Sequence, residues 1–103
     1  MPNTTKGRRV RSFDEITQPG DYFGPVTGYT GALPAVFFLL PNARDEGASG
    51  PQRSIHHVTF PPHTYRECED GSVEIRASIL SRGRDNVEVW HGYLDEGHVW
   101  REV

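Results

Sequence analysis

The chain has 103 residues, one cysteine and a formal net charge of −3 with its five histidines neutral. That length fits one domain and leaves no room for a second. The charge argues against a general nucleic-acid binder, and a lone Cys68 excludes an intrachain disulfide or an all-cysteine zinc site.

The apolar fraction is 35%, low for a globular chain. Eleven aromatic residues partly offset it, because each buries a large area. These numbers predict a thin core: one sheet on a second small layer, or a core completed by a partner subunit. Ten of the eleven basic residues are arginine. Arginine suits bidentate contacts with carboxylate or phosphate, although a GC-rich coding bias gives the same excess. The longest apolar run, residues 35–40, is far too short to span a membrane. No apolar stretch follows the basic N-terminus at signal-peptide distance. A cytoplasmic location is expected, with no membrane partner.

Lys6, Arg8, Arg9 and Arg11 precede the first acid, Asp14. Residues 1–11 read as a flexible basic arm, and residues 12–103 as a single β-rich domain. Ser12 and Glu15 have capping-box spacing, so one short helical turn starts there and Pro19-Gly20 stops it. Asp21 to Gly24 form a short strand. Five glycines and prolines break residues 24–34 into a loop. Residues 35–40 form a central strand with both faces covered. Residues 41–53 form a long solvated loop. Residues 54–60 alternate as a half-buried strand does, with Ile55, His57 and Thr59 on one face and His56, Val58 and Phe60 on the other. Residues 64–69 and 72–80 make a hairpin about Asp70-Gly71, placing Val73, Ile75, Ala77 and Ile79 on one face. Residues 82–86 turn the chain. Residues 87–94 and 98–103 make a second hairpin around Asp95-Glu96-Gly97, with Gly97 in the left-handed position. The fold class expected is mainly β: a mostly antiparallel curled sheet or compact sandwich with one N-terminal helical turn.

The histidines have no zinc-finger or zincin spacing, and adjacent His56 and His57 point to opposite faces of a strand. Cys68 lies between Glu67 and Glu69, which disfavours a thiolate. No Walker loop or dinucleotide fingerprint is present, so neither metal nor cofactor is expected. The densest chemistry is in residues 90–100, with two Trp, one Tyr and two His. The loop assumed above sets Leu94 opposite His98, Gly92 opposite Trp100 and His91 opposite Arg101. Trp100 then covers bare Gly92. Trp90, Leu94, His98 and Trp100 share one face, and His91, Tyr93, Val99 and Arg101 the other. The hairpin reads as a supplier of core. It also reads as an aromatic and cationic wall for a flat ligand. In the second case Arg76, His91, Tyr93, Trp100 and Arg101 bind base and phosphate, and Ser78 donates a hydrogen bond.

Residues 58–100 resemble an uncharacterised family of small bacteriophage and prophage domains. The pattern runs through Phe60-Pro61-Pro62, Asp70-Gly71-Ser72-Val73, Ala77-Ser78-Ile79-Leu80, His91-Gly92-Tyr93-Leu94 and Gly97. Similar members read Pro-Ser-Ile-Leu, a turn, then His-Gly-x-Leu-x-x-Gly. Here Ala77 replaces the proline, and cysteines of some members are missing. The resemblance implies a phage origin and a role in the host bacterial cytoplasm. The expected function is an accessory binding protein that sequesters a nucleotide-type ligand to counter host defence. The alternatives are a host-protein inhibitor or virion-associated interaction module, using the arm and the 41–53 loop, and a small hydrolase built on Ser78 and His91. A homo-oligomer is also expected, paired through residues 87–103 if these lie at a sheet edge.

Overall fold

The structure, a computed structural model, describes residues 4–42, 55–82 and 88–103. In chain order they form β1 (Thr4–Lys6), β2 (Arg8–Arg9), a 3₁₀ turn (Phe13–Glu15), β3 (Asp21–Val26), β4 (Ala35–Leu39), β5 (Ile55–Thr59), β6 (Thr64–Glu67), β7 (Val73–Arg82), β8 (Glu88–Asp95) and β9 (Val99–Glu102). A five-stranded sheet has the order β1-β9-β8-β7-β6, and a four-stranded sheet the order β2-β3-β4-β5. All pairings are antiparallel except β2 with β3. This is the mainly β small domain expected, in its sandwich form. The bulk of the expected 41–53 loop and of the 82–86 turn lies outside the described residues.

The shared core shows why the sheets pack. Tyr22, Val36, Phe38, Val58 and Phe60 come from one side, and Val73, Ile75, Ile79, Trp90, Leu94 and Trp100 from the other. Burying each large apolar side chain contributes roughly 1.5–3 kcal/mol. Alternation along β4 sends Val36 and Phe38 into this core and Ala35, Phe37 and Leu39 to a second cluster on the outer face. All five residues of β4 are buried, as its unbroken apolar run predicts. In β5, Val58 joins the shared core while Ile55 packs on the outer cluster, again as alternation requires.

Four local expectations are corrected. The first is the arm. Thr4–Lys6 pairs with β9, and Arg8–Arg9 pairs with β3. The N-terminal segment is therefore an edge strand of both sheets in turn. It crosses between them at Gly7, where a Cβ would meet the Gly20 carbonyl and come within 2.7 Å of Trp100 Nε1. Sequence gave the segment no apolar residue to pack, but backbone pairing needs none. Because β1 covers the free side of β9, the β8–β9 hairpin is not at a sheet edge, which is the condition that the expected pairing of two copies there required.

The second correction is the hairpin register. The structure sets Gly92 opposite Glu102, Tyr93 opposite Arg101 and Leu94 opposite Trp100. The loop is Glu96-Gly97-His98, because both Gly97 (φ 85°) and His98 (φ 63°) are left-handed. The shift moves both strands equally, so the two faces survive, but His98 leaves the strand for the loop. The glycine partners exchange. Trp90 covers Gly92, while Trp100 covers Gly7 and Gly20. The third correction is Ala77, which is exposed. Between Ile75 and Ile79, four steps along β7 match two along β8, and this irregularity turns Ala77 out. Lastly, Ser12 makes no side-chain cap; of the capping box, only the Glu15 carboxylate acts, accepting from the Arg11 amide at 2.9 Å.

Candidate functional site

The outer face of the five-stranded sheet brings together three of the six sequence-predicted site residues. Arg76 of β7 and Tyr93 and Arg101 of the β8–β9 hairpin converge. The Arg101 guanidinium lies 4.5 Å from the Tyr93 ring centroid and that of Arg76 lies 5.7 Å from it. Both guanidiniums are committed, however. Asp95 takes Arg101 at 2.7 Å and Arg76 at 3.1 Å, and Glu74 takes Arg76 at 3.2 Å. Burial alone pushes the Asp95 carboxyl up, but Arg101 and Arg76 together bring it below its usual range.

The other predicted residues do not join this cluster. Trp100 is in the core, 1% exposed, with its indole N–H donating to the Gly20 carbonyl at 2.8 Å. Among the described residues no hydrogen bond joins Ser78 to His91; His91 pairs with Leu80, and the Ser78 carbonyl accepts from His63 Nε2 at 3.1 Å. That bond fixes the proton on Nε2 and leaves His63 Nδ1 buried without a partner.

The outer face of the four-stranded sheet carries a feature that sequence did not single out. Phe37, central on β4, supports the Tyr29 ring at 5.4 Å and the Phe13 ring at 5.5 Å. Phe13 and Tyr29 stack at 6.3 Å with 12° between their planes, and Phe23 meets Tyr29 edge-on at 5.8 Å. Phe13 and Tyr29 remain 36% and 57% exposed. Tyr29 is presented by a turn closed by Gly28 N–H to the Gly31 carbonyl. Both glycines have positive φ and open space around them. They are needed for backbone sign, not for close approach.

Next along the chain from Phe13, an open groove of about 520 Å³ is lined by Arg8, Arg9, Val10, Arg11, Asp14, Glu15 and Thr17. The 3₁₀ turn joins the two, since Phe13 belongs to the patch and Asp14 and Glu15 to the groove. Two of the three groove arginines are spoken for. Arg8 binds Asp21 and Arg9 binds Glu67 at 2.7 Å; the Arg9 guanidinium holds the Glu67 carboxyl below its usual range. Asp21 is 2% exposed and also accepts from the Thr17 and Gln18 amides at 3.1 and 2.9 Å. That leaves Arg11, Asp14 and Glu15 without an ion pair among the described residues.

At one end of the sandwich is a polar cluster. Tyr22 Oη lies 2.7 Å from His98 Nδ1 and accepts the Val73 amide at 3.1 Å. Burial pushes the Tyr22 phenol up to about 12. Burial also lowers His98, against Asp70, which raises it. Nearby Cys68, Asp70 and Glu96 could offer three ligand atoms to a metal ion. The Asp70 carboxylate is already held by the Ser72 amide and hydroxyl, which lower its pKa.

No family model, curated protein or solved structure matches this chain. The aromatic patch had a faint signal in the sequence: a tyrosine between two glycines, and a strand predicted to be covered on both faces with nothing assigned to the outer one. The Tyr22–His98 contact had none, because the two residues are far apart along the chain.

Proposed function

We propose that this protein is a non-enzymatic docking module that binds an extended polypeptide segment carrying an apolar residue next to a basic one. The observation that carries the reading is the exposed, stacked Phe13–Tyr29 pair, joined to the groove through the 3₁₀ turn that supplies Phe13 to one and Asp14 and Glu15 to the other. Aromatic side chains seated on a rigid strand are the residues that dominate protein interfaces, and a preformed apolar patch on a small domain marks an interaction surface. Charge accounting selects the partner. With Arg8 and Arg9 neutralised by Asp21 and Glu67, the groove keeps two carboxylates, Asp14 and Glu15, against one guanidinium, Arg11. A basic flank is therefore preferred to an acidic one. The resemblance of residues 58–100 to phage and prophage domains supports a host bacterial protein as the source of the segment.

The test uses synthetic peptides that place one Leu or Trp next to Lys or Arg, with charge-reversed counterparts. Binding is followed by amide shifts of residues 13–31. Basic peptides are expected to bind, and Tyr29→Ser to weaken them at least about tenfold. Equal binding of the charge-reversed peptides, or of the variant, refutes the reading. So does a dimer in light scattering that Tyr29→Ser dissociates, since a second copy then occupies the patch.

One observation favours a second reading, a nucleotide-type ligand on the five-stranded sheet: Arg76 and Arg101 meet at Tyr93. A phosphate there must displace Asp95. Asp95→Asn should therefore tighten binding of nucleotides in calorimetry, and Arg101→Ala abolish it. No heat with Asp95→Asn, or undiminished heat with Arg101→Ala, removes this reading.

A further inference from the structure

The Phe13–Tyr29 pair stands on a face of the four-stranded sheet, not at its edge. Phe37, which supports it, belongs to β4, and β4 is paired to β3 on one side and to β5 on the other. Phe23 belongs to β3, which is paired to β2 and β4. No free ladder lies under the rings, so a segment docked on them gains no backbone hydrogen bonds from a strand. A partner in β conformation forfeits the pairing that strand addition would give it. A helix satisfies its own backbone but needs a continuous apolar stripe to seat. Here the groove joined to the rings has Val10 as its single apolar lining residue. A polyproline II segment has neither requirement. Its backbone is solvated and needs no ladder, and its proline rings are apolar with no side-chain freedom to lose.

The donors left at the site fit the same backbone. Proline carries no N–H, so a proline-rich segment presents mainly carbonyl acceptors. Tyr29 is 57% exposed, and among the described residues its hydroxyl has no hydrogen-bond partner. Arg11, in the groove, has no ion pair among the described residues either. Both groups can donate to those carbonyls. We infer that the docking surface takes a proline-rich segment in the polyproline II conformation with an arginine or lysine beside its prolines. The prolines lie on Phe13 and Tyr29, and the cation faces Asp14 and Glu15. This rests on the docking reading and narrows it to one class of segment. The platform is preformed: Phe37 holds Phe13 edge-on at 5.5 Å, and Phe23 holds Tyr29 edge-on at 5.8 Å. The ligand is preorganised as well, so little ordering entropy opposes association.

The test uses the full chain and synthetic peptides of about nine residues, roughly three turns of the polyproline helix. The first has proline at most positions and a terminal arginine. The second has valine for each proline and keeps the arginine. The third is the proline peptide with glutamate in place of arginine. Affinities come from calorimetry, and contact from upfield ring-current shifts of the proline protons. The first peptide is expected to bind at least about tenfold more tightly than either of the others. Tyr29→Ser, a change at an exposed residue, should remove that advantage and the ring-current shifts together. Valine binding as tightly as proline, with the arginine still required, overturns the proline assignment and leaves the docking reading standing. Equal binding of the glutamate peptide overturns both. Silence of all three overturns the proline assignment, and the leucine and tryptophan peptides of the docking test then decide the reading beneath it.

Discussion

Gly7→Ala separates a structural N-terminal segment from a flexible arm. The added Cβ is placed against the Gly20 carbonyl, a backbone atom that cannot rotate away, and 2.7 and 2.9 Å from Trp100 Nε1 and Cδ1. Trp100 cannot yield without losing its 2.8 Å bond to that same carbonyl, and its ring packs against Tyr22, Phe38 and Trp90. Overpacking of this kind costs about 1–3 kcal/mol, and the strained or broken indole bond adds about 0.5–1.5 kcal/mol. The sum is about 1.5–4.5 kcal/mol. Urea unfolding followed by tryptophan fluorescence should show a lower midpoint at unchanged slope. In a domain of this size the melting temperature should fall by roughly 10–25 °C. Gly31→Ala is the control. Its Cβ meets nothing, and only its positive φ is penalised, at about 1–2 kcal/mol. If Gly7→Ala costs less than about 0.5 kcal/mol, as surface changes do, the crossing of the strap over Trp100 is wrong.

Further outcomes follow from the same contacts. Asp21→Ala orphans the Thr17 and Gln18 amides and should cost about 2–4 kcal/mol, far more than Arg8→Ala, whose side chain is 61% exposed; equal losses in a denaturation series contradict this ranking. Tyr22, raised to about 12, stabilises the fold fully below the unfolded phenol pKa of about 10. That contribution, up to about 2–3 kcal/mol, is lost as pH rises from there through the folded value; an ultraviolet alkaline titration without a late phenol step refutes it. Gly92→Ala drives a Cβ to 2.6 Å from Trp90 Cη2 and should destabilise by about 1–3 kcal/mol, read as a blue or red shift of Trp90 emission together with a lower urea midpoint.

Local pattern made most of the strands legible. An unbroken apolar run gave β4, alternation gave β5, and Asp70-Gly71 gave the turn between β6 and β7. What it could not give is anything decided by partners far along the chain. Thr4 to Arg9 has no apolar periodicity, so it reads as an arm, yet its backbone finds β9 and β3. The site was partly legible for the same reason. Arg76, Tyr93 and Arg101 share a face because alternation puts them there. Asp95, which neutralises both arginines, had been assigned to the loop and so was not counted among their neighbours.

The hairpin shows how a small register error redistributes chemistry. The sequence offers Gly97 as the one residue suited to a left-handed conformation, and a loop at 95–97 follows. The structure spends a second left-handed residue at His98, a conformation disfavoured for a side chain with a Cβ. A long-range contact supplies the compensation: Tyr22 anchors the ring and Gly7 the carbonyl. Moving the loop by one residue frees Asp95 to enter the strand, where it faces Val99 and reaches Arg101 and Arg76. The same step that brings the His98 ring to Tyr22 at one end of the sandwich therefore neutralises the arginines on the five-stranded face. An anion-binding wall there competes with the fold's own carboxylate, whereas the aromatic pair on the opposite sheet has no such internal competitor among the described residues.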